Sequence, residues 1–258
     1  YLYSIILVDL YNTSNGFNWN IQWDLNQRME NWIGITLSAS RRVTKIEFDK
    51  NNLSGYLPHS LPGLDKLEEI EFVSEMISGV IPDSIHHLQS LRVLGFPSCN
   101  LGGEIPENLG KLLNLTYLSL YNNNFEGVIP NSIFDLIQLR TLSLSSNKLQ
   151  GSISEKISNL TNLESFLIDD NNFSGNIPIG LSSLQNLNTV FGQNNDFSGC
   201  PPDFGNLCDS GITFSNNPKL PYKGRFHYWV CQNLVNIDYL GVQCDDGDPA
   251  TVGDIIDE

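Results

Sequence analysis

LTYLSLYNNNFEGVIPNSIFDLIQ, residues 115–138, carries several signals in order. Leu115, Leu118 and Leu120 form L-x-x-L-x-L, with Tyr117, Ser119 and Tyr121 alternating against them. A period of two is that of a strand with one buried face and one open face. Asn123 and Phe125 follow, then Gly127 and Ile129-Pro130. Glycine lets the backbone turn where a Cβ would obstruct, and proline lacks the N–H needed to extend a ladder. NSIFDLIQ then reads as one short helical or 3₁₀ turn.

The same spelling extends in both directions. Leucine returns in register at Leu67, Leu91, Leu115, Leu139, Leu163 and Leu187, 24 residues apart, with Val43 in phase before them. Gly55, Gly79, Gly103, Gly127, Gly151, Gly175 and Gly199 form an unbroken column. Two inward columns are predicted to fill the core. One is Ile46, Ile70, Leu94, Leu118, Leu142, Phe166 and Val190. The other is Phe48, Phe72, Phe96, Leu120, Leu144 and Ile168, and it should end in a gap at Gly192. A fixed period of this length means stacked units that bury their apolar sides only against one another. The predicted fold is an α/β repeat solenoid, a curved right-handed superhelix. Its parallel β-sheet lines the concave face and short 3₁₀ or helical turns form the convex face.

Asn51, Asn123, Asn147, Asn171 and Asn195 form a further column. The chain turns after each strand, and a stacked amide can both donate to and accept from backbone groups left buried there. Two units depart. Cys99 is expected as a buried free thiol, and Glu75 is expected to point outward and leave a defect in the ladder. In the fifth unit, Ile153-Ser154 replaces Ile-Pro and should make the convex side slightly irregular.

A stack of this kind needs covered ends. Residues 1–42 read as an N-terminal cap, with an amphipathic helix from Ser4 in SIILVDLYNTS and with Trp19, Trp23 and Trp32 covering the first unit. NWIGITLSASRRVTKIEF suggests a cap strand and a turn leading into that unit. Residues 43–209 hold seven units. Residues 210–244 read as a degraded unit, SGITFSNNPKLP, followed by a cysteine-containing cap sealed by Phe226, Tyr228 and Trp229. Residues 245–258 are an acidic tail.

Composition narrows the function classes. The net charge is −15, which argues against nucleic acid and anionic membranes, both of which need clustered Lys and Arg. No apolar run reaches the roughly 18 residues of a membrane span. His59, His86 and His87 fall on the convex side, His227 lies in the C-terminal cap, and no hydrolase, zinc or phosphate-binding motif appears, so neither an enzyme nor a cofactor is expected. Cys200, Cys208, Cys231 and Cys244 cluster near the C-terminus and suit disulfides in an oxidising compartment. The sequential pairing, Cys200–Cys208 and Cys231–Cys244, closes the shortest loops. N-x-Ser/Thr triplets begin at Asn12, Asn52, Asn114, Asn159 and Asn172, candidate glycan acceptors that the repeat spelling itself also generates. Asp245, Asp246, Asp248 and Asp254 are weak calcium candidates, since their spacing is not that of a calcium loop.

The L-x-G-x-I-P spelling over about residues 43–209 resembles plant-type extracellular leucine-rich repeats, as in receptor-kinase ectodomains and polygalacturonase-inhibiting proteins. The N-terminal cap departs from the plant pattern, because NWIGITLSA keeps the tryptophan and glycine without the cysteine pair. LVDLYNTSNGFNWNIQWDLNQRMENWIGITL and CDDGDPATVGDIIDE resemble the cap and tail of secreted repeat proteins from marine Bacteroidota-type bacteria and some protists. In those the tail continues to further cysteines, so the chain is expected to be a piece of something longer.

These readings imply a secreted or cell-surface module that binds or adheres to a protein, peptide or glycan through its concave face. The alternatives are a structural subunit of a surface layer or filament, which would self-associate, and, by resemblance alone, an inhibitor of a cell-wall-degrading enzyme. Ice binding needs a regular threonine array that the outward columns lack. The predicted contact residues are Val93, Tyr117, Ser119, Tyr121, Arg140, Thr141, Ser143 and Ser145. They form a nearly uncharged patch, with Gly95, Pro97 and Arg92 beside it. Glu47, Asp49, Glu69 and Glu71 flank it on one side, Asp169 and Asp170 on the other.

Overall fold

The structure, a computed structural model, describes residues 2–199, 201–202, 204 and 211–220. In chain order its strands are β1 (Ile35–Leu37), β2 (Val43–Asp49), β3 (Ser54–Tyr56), β4 (Glu69–Val73), β5 (Met76–Gly79), β6 (Val93–Gly95), β7 (Asn100–Glu104) and β8 (Tyr117–Ser119). There follow β9 (Asn124–Gly127), β10 (Thr141–Ser143), β11 (Lys148–Gly151), β12 (Ser165–Leu167), β13 (Asn172–Asn176), β14 (Thr189–Phe191), β15 (Asp196–Ser198) and β16 (Ile212–Thr213). Each 24-residue unit contributes one strand to a long sheet, ordered β1-β2-β4-β6-β8-β10-β12-β14-β16, and one to a second sheet, ordered β15-β13-β11-β9-β7-β5-β3. Short 3₁₀ turns such as Asn131–Asp135 close the units. All pairings are parallel except β1 with β2.

The long sheet is parallel because each unit returns to the same place one step along the stack. Register preserves residue type: Leu118 faces Leu94 and Leu142. Leu94, Leu118 and Leu142 are fully buried. The aromatic column also runs inward, with rings of Phe48, Phe72 and Phe96 about one strand spacing apart at 5.6 and 5.5 Å. No gap opens at Gly192. The ring of Phe214 occupies that space, and a Cβ on Gly192 would lie 2.4 Å from it. The degraded unit thus supplies by a large residue what the last regular unit lacks.

The glycine column takes positive φ throughout, and the missing Cβ leaves room for the preceding unit. At Gly103 and Gly151 a Cβ would sit 3.0 Å from the valine Cγ1 of Val80 and Val128.

The asparagine ladder forms as the residue column requires. The Asn147 amide donates to the carbonyls of Leu120, Leu144 and Ser145, and its oxygen accepts from Phe125 N–H at 2.9 Å. Asn123, Asn171 and Asn195 repeat this, and Asn217 carries it into the degraded unit. Glu75 corrects the expectation of an outward side chain. It is buried, and its two carboxylate oxygens accept from Asn51 N–H at 2.6 Å and Leu53 N–H at 2.7 Å. The longer side chain reaches both donors of the preceding unit, so turning inward satisfies them. Cys99 is a half-buried free thiol that donates to Phe72 C=O, taking the donor role of the amide.

The N-terminal end is covered by helix α1 (Leu2–Thr13), which begins two residues before Ser4, and by the indoles of Trp19, Trp23 and Trp32. Trp23 stacks on Trp32 at 4.8 Å, and Trp19 lies against Phe48 at 4.9 Å, continuing the aromatic column outward. Each indole N–H finds a backbone carbonyl: Ser14, Ile33 and Asp24 respectively. A polar clasp ties α1 to the first unit, in which Arg42 donates to Tyr3 and Asp65 while Tyr3 donates to Asp65.

Candidate functional site

The outward residues of the long sheet line up in rows that cross the strands. One row runs Lys45, Glu69, Val93, Tyr117, Thr141, Ser165, Thr189. Beside it runs Glu47, Glu71, Gly95, Ser119, Ser143, Leu167, Phe191, Thr213. A third row begins with Asp49 and Val73, the last residues of β2 and β4, and continues past the ends of the following strands through Pro97, Tyr121, Ser145, Asp169 and Gln193.

In the middle row Gly95, Ser119 and Ser143 are buried although they sit on the open face. Along its own strand Ser119 lies between Tyr117 and Tyr121, two residues to either side, and a small residue there is shaded by its neighbours. The result is a shallow trough three strands long. Tyr117 and Tyr121 rise beside it, Tyr121 being 42% exposed. Glu71 borders one end, its side chain leaning over Gly95, where a Cβ would meet it at 3.0 Å. Leu167 and Phe191, both half-buried, border the other.

The structure thus divides the predicted contact residues. Val93, Tyr117 and Thr141 are half-buried, while Tyr121 is exposed. Ser119, Ser143 and Ser145 are buried, and the Ser145 hydroxyl is used by Asp169. Arg140 is exposed but engaged in an ion pair with Glu164 at 2.5 Å. Sequence reasoning overlooked Leu167 and Phe191. Their signal was an apolar residue at an outward position, as in Ser165-Phe166-Leu167, where the pattern elsewhere places a polar or small one.

Electrostatics set the ends of the trough apart. Lys45 pairs with Glu47 at 2.9 Å and with Glu69 at 3.2 Å, leaving Glu71 without a hydrogen bond or ion pair among the described residues. Burial, with the nearby Glu47 carboxylate, holds the Glu71 carboxyl above its ordinary range. Burial does the same for Asp169 at the other end. In Cys99 burial pushes the thiol up to about 11, so it stays protonated near neutral pH.

A row at the rim was also missed. Lys50, Ser74, Ser98, Asn122, Ser146, Asp170, Asn194 and Asn216 all hold φ between 51° and 59°. Asn and Asp tolerate this left-handed region better than most residues. Side chains link the row: Asn122 donates to Ser98, Asn194 to Asp170 and Asn216 to Asn194.

The asparagines of the N-x-Ser/Thr triplets lie away from the trough. Asn12 is exposed on α1, and Asn52 and Asn172 belong to the second-sheet side. Asn114 and Asn159 are exposed near the 3₁₀ turns, and Asn114 donates to Gln89 C=O at 2.8 Å. The rings of His86 and His87 lie 4.1 Å apart on the turn Asp83–His87, each directed at a carbonyl of its own turn. Among the described residues no group of His, Cys, Asp and Glu could hold a metal, and no helix is long and apolar enough to cross a membrane. The cysteines 200, 208, 231 and 244, His227 and the tail aspartates 245, 246, 248 and 254 lie outside the described residues.

Similarity to known proteins is confined to fold and repeat. No curated protein matches the chain. Its structure resembles the ectodomain of the membrane receptor kinase GASSHO1/SCHENGEN3 from Arabidopsis thaliana, solved with CASPARIAN STRIP INTEGRITY FACTOR 2. The TM-score is 0.71 at 26% identity, over 84% of this chain and 26% of that one. The PEPR1–AtPEP1 structure gives 0.69 at 25% identity, over 78% of this chain and 29% of that one. A TDR receptor gives 0.64 at 36%, over 67% of this chain and 30% of that one. The chain therefore spans about a quarter to a third of the length of these solved proteins. The family described as a leucine-rich repeat region matches residues 66–207. With that match covering more than half of the chain, and with the asparagine ladder and glycine column behind it, this protein belongs to the leucine-rich-repeat family.

Proposed function

We propose that this chain is a non-enzymatic recognition module that holds an extended peptide, or a peptide-like segment of a protein, across the open face of its long sheet. The observation that carries this reading is the trough of Gly95, Ser119 and Ser143 between Tyr117 and Tyr121. A backbone can approach closely over small residues, and tyrosine offers apolar area with a polar tip at low entropic cost. The candidate glycan sites leave this face open. Similar ectodomains solved with peptide ligands, among them RGFR1 with RGF2, support the same use of the fold. Fold alone does not fix a partner. A place outside the cell, with C-terminal disulfides and glycans, agrees with this role and with the sequence motifs.

The test is selection of peptides from a displayed random library against the full chain, followed by titration of the selected peptides. Replacing Tyr117 and Tyr121 together by Ala should weaken them by about tenfold or more, roughly 1.4 kcal/mol, while the circular dichroism spectrum is kept. Unchanged affinity in the folded double variant would move the site to the convex turns or a cap. A face that selects glycans but no peptide would replace the ligand class, and self-association without any ligand would favour a structural role.

A further inference from the structure

Charge on the open face is arranged in an order that the peptide-binding reading leaves unused. Uncompensated acids stand at both ends of the trough. At one end is Glu71, which leans over Gly95 and has no ion pair among the described residues, since the Lys45 ammonium is shared by Glu47 and Glu69. At the other end are Asp169 and Asp170, which accept from Ser145 and Asn194 but form no ion pair among the described residues. Next along the third row from Asp169 comes Gln193, whose buried amide oxygen has no hydrogen-bond partner among the described residues. An orphan acceptor in a shielded position costs free energy and invites a donor. Arg140 is neutralised by Glu164, and both it and Arg92 lie at strand starts, beyond the row of Tyr117. Between the acid ends the floor is uncharged.

The spacing follows from sheet geometry. Glu71 on β4 and Asp169 just past β12 are four strand steps apart, through β6, β8 and β10. At about 4.8 Å per step this is about 19 Å. An extended chain advances at most about 3.3–3.6 Å per residue, so the two acids lie about five to six residues apart on a bound peptide.

We propose that the ligand is a dibasic extended segment, with Lys or Arg at two positions five or six residues apart and small residues between them. One cation sits on Glu71 and the other on Asp169 beside Gln193, with Leu167 and Phe191 receiving an apolar neighbour of the second cation. This assignment rests on the reading of the open face as a peptide site. The carboxyls that burial has made reluctant to ionise gain a counter-charge there. An overall charge of −15 adds long-range attraction for a cationic partner, and it weakens with salt.

The experiment uses fluorescent synthetic peptides in which two lysines are separated by glycine and serine, at spacings from one to about ten residues. Matched series carry glutamine or glutamate in place of lysine, and anisotropy is read with the full chain in about 50 mM salt. The lysine series should bind most tightly at spacings of five or six, about tenfold better than the glutamine series. Glu71→Gln and Asp169→Asn should each flatten the spacing dependence without lowering the melting temperature. Equal affinity at all spacings, or for lysine and glutamine peptides, overturns the two-anchor assignment. If glutamine or glutamate peptides bind best and Tyr117→Ala/Tyr121→Ala removes that binding, the face takes peptides but not dibasic ones. Tight lysine binding that survives both carboxylate substitutions is non-specific attraction to an acidic chain and also overturns the assignment.

Discussion

Glu75 shows how one residue can keep a repeat intact by different chemistry. An asparagine in this column both accepts and donates, whereas a carboxylate only accepts. Glu75 takes Asn51 and Leu53 N–H groups, and in the next unit Cys99 supplies a donor to Phe72 C=O. Glu75→Ala should therefore cost about 2–4 kcal/mol in chemical denaturation, because two buried donors lose their acceptor. Glu75→Asn, which restores the side chain of the other units, should cost less than about 1 kcal/mol. Equal losses for the two variants would show that the carboxylate's bonds do not matter. The direction of Glu75 was not legible in the sequence, because an acid in an asparagine column is compatible with either face. What decides it is the position of two N–H groups on another unit.

At the scale of the element, alternation within each strand and the glycine after it carried nearly all the information. Inward leucines could be read because a period of two separates the faces without reference to any other unit. Leu118→Ala or Leu142→Ala should destabilise the stack by about 2–5 kcal/mol, both side chains being fully buried at its centre. A loss below about 0.5 kcal/mol for either would remove it from the core. Gly151→Ala should cost at least about 1–2 kcal/mol, since φ there is 80° and the new Cβ would press on Val128. Outward positions were less legible. Whether Ser119 or Ser143 is exposed depends on the size of residues beside them, so the predicted contact surface contracted to a trough. Leu167 and Phe191 enter it only once the register of β12 and β14 is known. The space at Gly192 could not be filled from the sequence either, because Phe214 belongs to a unit whose spelling has decayed.

At the scale of the whole molecule the stack is strongly acidic, and its response to pH follows from a few groups. Burial raises the carboxyls of Glu71, Glu75 and Asp169, so the folded chain binds these protons at higher pH than the unfolded chain does. Stability from these groups therefore rises as pH falls from neutral through their raised values. Asp65 acts oppositely: Tyr3 and Arg42 hold its carboxyl below the usual range, so its contribution is lost only at more acid pH. The melting temperature should accordingly be higher at about pH 5 than at pH 7 and fall again below about pH 4, with Glu75→Asn reducing the rise. A melting temperature that falls steadily from pH 7 downward would contradict this assignment. Whether a ligand crosses the long sheet is read by hydroxyl-radical footprinting of tyrosines with a selected peptide at saturation. Tyr121, exposed beside the trough, and Tyr117 should be protected, while Tyr56, 56% exposed on the second sheet, should be modified as before. Protection of Tyr56 with no change at Tyr121 would place the ligand on the second sheet and remove it from the trough.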